Sequence, residues 1–395
     1  MKPTNQTKTV ACIVTEYRDN SHADVIVGKI LEGYDQKGGN GPALRVASMF
    51  TDQVPAKDMS RAMAEKHQFP ICDSIEQAIT LSKGEIAVDG VLLIGEHGQY
   101  PTNVKGQQCY PRPRFFEDTT SVFLKYGRSV PVFNDKHLAY NWHNAQWMYE
   151  TSRTLFMPFM AGSSLPVTYR RPALRLPLGS ELESALALGY GGLESYGFHM
   201  LETLQCMVER RRGGESGVVA VQALQGEAMF QALDQGRWSR ELLEAALAVV
   251  PHRSGRVEEN CRSDKSAAVY LIEHSDGLRS SAAMLNGHSA SFAFAAKRMG
   301  QAEPMATQFY LYDNKPFPHF AYLVKAIEQM IVTGHASYLV ERTLLTTGVL
   351  DAAMTSIFMG NKRVETPHLA KLSYQPVDYP FAPEPNLGVV LPGGD

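Results

Sequence analysis

The sequence lacks the features that would place it in several specialised protein classes. Its five cysteines are widely spaced and form no CxxC pair, which favours free thiols in a reducing compartment over a disulfide framework. No apolar run approaches the roughly 20 residues that span a bilayer, and the opening MKPTNQTK has no apolar stretch. The net charge is −3 and there is no basic stripe, so nucleic-acid binding is not expected. These absences predict a soluble, cytoplasmic protein.

The first turn of the chain lacks glycine. Val10–Val14 is predicted to be a buried strand, and a helix is predicted from Ser21, with Asn20 or Ser21 as its cap. A strand followed by a helix is typical of the start of a nucleotide-binding fold, in which glycines let a pyrophosphate approach the backbone. The intervening TEYRDN has none. Two interpretations remain open: a dinucleotide displaced outward and held by Arg18, or a purely structural turn without cofactor binding.

The hydrophobic pattern changes about two fifths of the way along the chain. Up to about residue 160, apolar strands alternate with helices, which predicts a parallel sheet covered on both faces. Glycines before a helix, strands joined by turns and two closing helices follow, with Asp276–Gly277 as a hairpin signal. We therefore predict a nucleotide-binding domain over 1–162, a substrate and oligomerisation domain over 163–375, and a proline-rich tail over 376–395.

Five segments, taken in order, resemble the Gfo/Idh/MocA family of glucose–fructose oxidoreductase, inositol dehydrogenases and their relatives. They are VDGVLLIGEHGQYP, VFNDKHLAYNWHNAQWMYE, PFMAGSS, YGGLESYGFHMLETLQCMV and LLTTGVLDAAMTSIFMGNKRVETP. The resemblance implies an α/β protein with a doubly wound Rossmann domain. It also implies a C-terminal α/β domain with a large open, mainly antiparallel sheet. The implied activity is hydride exchange between NAD or NADP and a sugar or cyclitol hydroxyl.

The resemblance also implies roles for particular residues. Asp135-Lys136-His137 stands where the family has a Glu-Lys-Pro motif, whose lysine lies beside nicotinamide and substrate. His199 matches the family's acid/base histidine. The family usually has a carboxylate four residues before that histidine. Here that position is Ser195, and Glu194 lies one residue earlier.

The polar residues expected at the carboxyl ends of the strands give two hypotheses for the chemistry. For acid/base catalysis the candidates are Lys136, His199, Glu194 and His97. For cofactor binding they are Arg18, Asp52, Glu96 and Asp135, and an aspartate at the end of the second strand favours NAD over NADP. A divalent metal is the second hypothesis, although no known spacing motif occurs, and its candidate ligands are His97, His199 and Glu202.

Three classes of function follow. The first, which is the expected one, is an NAD(P)-linked oxidoreductase of a sugar, cyclitol or related polyol, and Lys136, His199 and Asp52 argue for it. The second is a metal- or acid/base-dependent lyase, hydrolase or isomerase of a carbohydrate-like substrate, to which the missing glycines point. The third is a non-catalytic binding protein. A homo-oligomer is expected, because the sheet face carrying residues such as Val269, Leu271 and Ile272 needs a cover.

Overall fold

The computed structural model describes residues 7–312 and 314–383. The chain divides into two compact units by its internal contacts. The first unit comprises Met1–Pro101, Cys109–Ser164 and Tyr312–Val340, and the second comprises Thr102–Gln108, Leu165–Leu311 and Glu341–Asp395. The domain boundaries at residues 162 and 375 stay predictions.

The first unit is a parallel sheet with helices between its strands. Its strands are β1 Lys8–Val14, β2 Leu44–Thr51, β3 Ile71–Cys72, β4 Gly90–Ile94, β5 Val132–Asp135 and β6 Phe159–Gly162. Its helices are α1 His22–Glu32, α2 Ser60–His67, α3 Ile75–Thr80, α4 Arg112–Tyr126, α5 Trp142–Thr154 and, later in the chain, α10 His319–Thr333. The strand order is β3-β2-β1-β4-β5-β6. The order reverses between β1 and β4, where doubly wound sheets bind their ligands.

Helix α10 returns to the first unit and packs beside α1. Glu328 on α10 accepts hydrogen bonds from the Tyr34 hydroxyl at 3.0 Å and from the Ala43 amide at 2.7 Å. Ile331 packs closely on Gly90: a Cβ placed on Gly90 would lie 2.9 Å from the Ile331 side chain. The helix is therefore part of the first unit's core, although 156 residues of sequence separate it from β6.

The second unit is built on an eight-stranded mixed sheet. Its strands are β7 Tyr169–Arg171, β8 Leu182–Gly189, β9 Val218–Gln225, β10 Ala268–His274, β11 Arg279–Met284, β12 Phe292–Arg298, β13 Met305–Tyr310 and β14 Val364–Glu365. Its helices are α6 Ser195–Val208, α7 Glu227–Asp234, α8 Arg240–Leu247, α9 Val257–Cys261 and α11 Val340–Phe358. The strand order is β14-β9-β10-β11-β8-β12-β13-β7, and only β11 with β8 pairs in parallel among the described strands. The predicted α/β fold class is confirmed.

Helices within the second unit cover both faces of its sheet. Val269 and Leu271 pack with side chains of α7, α8 and α9 in one core. On the other face, the Tyr270 hydroxyl lies 3.2 Å from a Cβ placed on Gly197 of α6. Ile272 is also buried. The reasoning that predicted a homo-oligomer from an uncovered face is therefore wrong, and the oligomeric state itself stays a prediction.

The sequence pattern missed several elements, and the predicted tail over 376–395 is only partly described by the structure. It assigned no strand to β8 or β12 and no helix to α7, α8 or α9, and it predicted the Asp276–Gly277 hairpin between β10 and β11 correctly. Within the tail, Tyr379 is buried and Asp378 forms ion pairs with Arg175 and Arg210. The predicted tail beyond residue 383 lies outside the described residues. Over the described ranges, no helix combines the length and apolar character needed to cross a membrane.

Candidate functional site

Polar side chains of the first unit gather at the carboxyl edge of its parallel sheet. Glu96 and His97 follow β4, Asp135 ends β5, and Lys136 comes next. Arg112 enters the same region as the first residue of α4. The carboxyl ends of parallel strands share one edge of a sheet, which explains why residues so far apart in sequence meet here.

A buried ion cluster forms the centre of this edge. The Glu96 carboxylate lies 3.0 Å from the Lys136 ammonium and 2.7 Å from an Arg112 guanidinium nitrogen. A second nitrogen of Arg112 lies 3.0 Å from His137 Nε2, which accepts because a guanidinium can only donate. All four side chains are buried. The strand ends therefore hold one carboxylate between two cations.

The electrostatics keep Glu96 ionised and His97 neutral. Burial alone would raise the pKa of Glu96, but the charges of Lys136 and Arg112 hold it well below its usual range. Burial, reinforced by His22, lowers the pKa of His97 to about 4, against the opposing charge of Glu96. At neutral pH, His97 is therefore an uncharged hydrogen-bonding group beside an ion cluster.

Two residues at this edge adopt left-handed backbone conformations. His97 has φ 67° and Lys136 has φ 66°. Such conformations cost energy for residues other than glycine and occur preferentially at functional sites. The Lys136 amide donates to the Gly162 carbonyl at 2.9 Å, which fixes the turn that directs the lysine.

Sequence reasoning missed His22. Its Nδ1 lies 2.6 Å from Asp135 Oδ2, and its ring packs edge-on against His97, with 5.5 Å between ring centroids. A signal was present in the sequence, because His22 follows the predicted cap Ser21 and so starts the helix at this edge. Asp135, expected to contact a cofactor, contacts His22.

The charged side chains of the β1–α1 turn form ion pairs with other residues, and the turn does not form a phosphate-binding loop. The Glu16 carboxylate is buried and lies 2.6 Å from Arg18 Nε. Asp19 pairs with Lys315 at 2.6 Å. The side chain of Tyr17 is fully buried. Arg18, predicted to hold a phosphate, thus already has a carboxylate partner.

The amino end of α1 is capped by the chain itself. Ser21 Oγ accepts from the Asp24 amide at 3.3 Å, and the Asp24 carboxylate accepts from the Asn20 amide at 3.0 Å. Ser21 is therefore the cap of the helix, and the Asp24 side chain bonds the residue before it. Asp24 also puts a buried carboxylate in the first helical turn, where a dinucleotide-binding fold places pyrophosphate.

The end of β2 is covered by the segment that follows β4. Asp52 accepts from the Tyr100 hydroxyl at 2.7 Å and from Arg114 at 2.6 Å. The side chain of Gln53 exchanges two hydrogen bonds with the backbone of Gln99, each of 2.9 Å. The aspartate that would accept hydrogen bonds from an adenosine ribose is therefore engaged within the chain.

These residues do not fit a dinucleotide bound in the usual Rossmann manner. The pyrophosphate position has Glu16 and Asp24 instead of glycines, and the ribose acceptor Asp52 already has two partners. Thr15 Oγ1 also bonds the Glu96 carbonyl at 2.5 Å, which joins the ends of β1 and β4 where the crevice should open. A cofactor could bind here only if this network were rearranged.

The second unit presents its own polar group on α6. His199 is buried, and its ring lies edge-on to Tyr196 and Phe292 at centroid distances of 5.6 and 6.2 Å. Glu194 is the residue immediately before the helix. Glu202 lies 3.5 Å from Arg342 Nε, so it belongs to a buried ion pair.

The metal hypothesis finds no support in the arrangement of possible ligands. Over residues 7–312 and 314–383, no three His, Cys, Asp or Glu side chains are grouped so that they could hold a metal ion. Of the predicted ligands, His97 belongs to the first unit, whereas His199 and Glu202 belong to the second. The carboxylate of Glu202 is already paired with an arginine.

Comparison with known proteins defines the fold class. No protein-family profile matches the chain, and no curated protein is similar to it in sequence. Solved structures, among them inositol dehydrogenases, share its fold over most of their length. This likeness confirms a Rossmann-like sheet joined to a large mixed sheet.

Three of these structures illustrate the likeness. GenD2 from gentamicin A biosynthesis, in complex with NAD, is 12% identical with a TM-score of 0.57, covering 91% of this chain and 97% of its own. The apo scyllo-inositol dehydrogenase from Lactobacillus casei is 10% identical with a TM-score of 0.55, covering 92% and 99%. The myo-inositol 2-dehydrogenase from Lactobacillus plantarum is 10% identical with a TM-score of 0.52, covering 91% and 99%. Such identities establish a common fold and nothing finer.

Proposed function

We propose that the protein is an acid/base enzyme, of the isomerase or lyase class, that removes a proton next to a carbonyl group of a carbohydrate-like substrate. The observation that carries this proposal is Lys136, held 3.0 Å from the buried Glu96 at the carboxyl edge of the parallel sheet. A fixed cation at such an edge is suited to stabilise negative charge that develops on a substrate oxygen.

The local geometry supports a functional role for this cluster. Burying several charges is costly, and the left-handed backbone of Lys136 and His97 adds to that cost. His97 Nε2 and Asp135 Oδ1 are buried without hydrogen-bond partners among the described residues. A polyhydroxylated ligand would satisfy both, because it offers hydroxyl groups that donate and accept.

The carbohydrate-like substrate is proposed from the fold relationship. Two of the structures above are named as inositol dehydrogenases, and the third comes from gentamicin A biosynthesis. A chemistry without net oxidation is favoured by the residues at the β1–α1 turn and at the end of β2. These residues leave neither a glycine cradle nor a free ribose acceptor.

The second candidate is an NAD(P)-linked oxidoreductase of a sugar, cyclitol or related polyol. The strand order of the first unit and the NAD complex of GenD2 favour it. In that case Arg18 would have to exchange Glu16 for a phosphate, and Asp52 would have to exchange Tyr100 or Arg114 for a ribose hydroxyl. Each exchange has a cost, so the affinity for the cofactor should be low.

His199 and Glu194 of the second unit remain proposed acid/base residues. Their support is the burial of both side chains at the start of α6, with two aromatic rings around His199. The substitution His199→Gln tests this role independently of the first unit.

The proposed function is tested in D2O without added nicotinamide cofactor. The protein is incubated with a panel of aldoses, ketoses and inososes, and proton NMR follows loss of the signal next to the carbonyl, isomerisation and dehydration. Wild type is expected to exchange or convert at least one compound. Lys136→Met should slow the reaction at least about a hundredfold. Lys325→Met, at an exposed site on α10 of the same unit, should react like wild type. Turnover that occurs only with NAD or NADP present would establish the second candidate instead.

A further inference from the structure

We infer that His22 and Asp135 form a catalytic pair, in which Nε2 of His22 moves the substrate proton and Asp135 positions the imidazole. This inference rests on the proposed function and assigns its base. The closest atoms of the pair, Nδ1 and Oδ2, lie 2.6 Å apart, well within charge-assisted hydrogen-bonding distance.

The carboxylate fixes which nitrogen of His22 carries the proton. Asp135 is fully buried and its oxygen can only accept, so Nδ1 of His22 must donate. The lone pair of the neutral ring then lies on Nε2. Among the described residues, the hydrogen bond of the His22 ring is the one from Nδ1 to Asp135, and the side chain is 14% exposed. Nδ1 is thus fixed by its hydrogen bond to the carboxylate, and Nε2 is available to accept a proton. A general base requires both.

The surroundings hold the ring in one orientation. His22 is the first residue of α1, and the Ser21 cap fixes the start of that helix. The ring packs edge-on against Phe320 of α10 at 5.3 Å and against His97 at 5.5 Å. His97 is neutral at physiological pH, so the developing imidazolium of His22 faces no additional cation from that neighbour. Asp135 stabilises this imidazolium directly.

The arrangement also places the anion-stabilising group nearby. The His22 ring packs against His97, the residue that follows Glu96. Asp135 immediately precedes Lys136, whose ammonium lies 3.0 Å from the Glu96 carboxylate, so the pair adjoins the ion cluster. Negative charge that forms on a substrate oxygen as His22 takes the proton can therefore be offset by Lys136.

The proposed step needs no oxidant. Nε2 takes the proton from the carbon next to a carbonyl, and the electron pair of the broken C–H bond shifts into the carbonyl to give an enolate. If the enolate turns its other face toward Nε2 before the proton returns to that carbon, the carbonyl re-forms and the product is an epimer. If the enolate instead expels a hydroxyl from the neighbouring carbon, the proton leaves with it as water.

The first part of the test measures the tautomer of His22 and needs no substrate. Long-range proton–nitrogen NMR of histidine-labelled protein, assigned with His22→Gln, should show His22 protonated at Nδ1 only. The Asp135→Asn variant should shift the ring toward the other tautomer, because an amide can donate to Nδ1. A mixture of tautomers in wild type would overturn the pairing.

The second part measures turnover in D2O of whichever compound wild type converts. His22→Gln should lower kcat by at least about a hundredfold and Asp135→Asn by about tenfold to a hundredfold, with KM little changed. His335→Gln, at an exposed histidine whose ring bonds the Thr333 carbonyl, should match wild type. Full activity of His22→Gln would refute the pair and leave the proposed function standing. Absence of any turnover in wild type would refute the proposed function, while the tautomer measurement would still decide the pairing.

Discussion

The Lys136 ammonium and the Arg112 guanidinium lie on opposite oxygens of one buried carboxylate, that of Glu96, at 3.0 and 2.7 Å. Because Arg112 alone still neutralises Glu96, loss of Lys136 should affect catalysis far more than folding. We expect Lys136→Met to lower kcat at least about a hundredfold. Its melting temperature should fall by only a few degrees. A steady-state assay and thermal unfolding of Lys136→Met, with Lys325→Met as the control, test this prediction. Activity of Lys136→Met within a few-fold of wild type would contradict it.

The same cluster predicts a pH-dependent contribution to stability. Glu96→Gln leaves Arg112 and Lys136 buried without their anion, which should cost about 3–5 kcal/mol at pH 7. Since the pKa of Glu96 is lowered by folding, its contribution is complete above the usual value of 4.5 and is lost as the pH falls below it. Urea unfolding of both proteins should therefore show a difference that narrows in acid. Glu76→Gln, at an exposed pair with Lys125, should show little effect. A constant difference between pH 7 and pH 3.5 would be inconsistent with an ionised Glu96.

His97 should destabilise the folded protein in mild acid. Its pKa is about 4 when folded and near 6.5 when unfolded, so the unfolded chain takes up the proton first. The stability that is present above pH 6.5 is lost as the pH falls toward 4. At pH 5 the free energy of unfolding should be lower by on the order of 1–2 kcal/mol. His97→Asn, which suits the left-handed backbone, should remove this part of the pH dependence. Denaturant titrations at pH 7 and 5 measure it, and identical pH dependence in both proteins would refute the assignment.

The cap of α1 gives a prediction that is independent of function. Ser21→Ala should destabilise the protein by about 1 kcal/mol, because the Asp24 amide loses its acceptor. Ser21→Gly is the matched comparison and should cost only a few tenths of a kcal/mol. Chemical denaturation measures the free energy of unfolding of both variants and of wild type. Equal stability of all three proteins would show that Ser21 does not cap the helix.

Local pattern was sufficient to predict most of the first unit. Its strands are apolar runs and its helices are amphipathic. The cap at Ser21 could be predicted because a serine side chain before a helix can accept from the third helical amide. In the second unit, β8 and β12 were missed because alanines and glycines obscure their pattern, as in LESALALG. Their strand identity comes from pairing with β11, β13 and each other, which is not local information.

The candidate site was only partly predictable. Glu96, Asp135 and Lys136 could be placed at one sheet edge because each follows an apolar strand. That Asp135 binds His22, and that Tyr100 binds Asp52, depends on how separate segments fold over the strand ends. The role of Arg18 could not be decided from the sequence, since a guanidinium beside Glu16 can bind either that carboxylate or a phosphate. The structure has the first arrangement.

Calorimetric titration with NAD and NADP tests most directly whether the chain has replaced its dinucleotide crevice by an acid/base site. We predict no binding to wild type tighter than about 1 mM, a free energy near −4 kcal/mol. We also predict that Glu16→Gln, which releases Arg18 and removes a repelling carboxylate, binds several-fold more tightly. Arg18→Ala should weaken any residual binding by one to two orders of magnitude, if a charge-assisted bond worth about 1.5–3 kcal/mol holds the phosphate. Micromolar binding to wild type that is insensitive to Glu16 and Arg18 would contradict the account and establish a dinucleotide site that uses other residues.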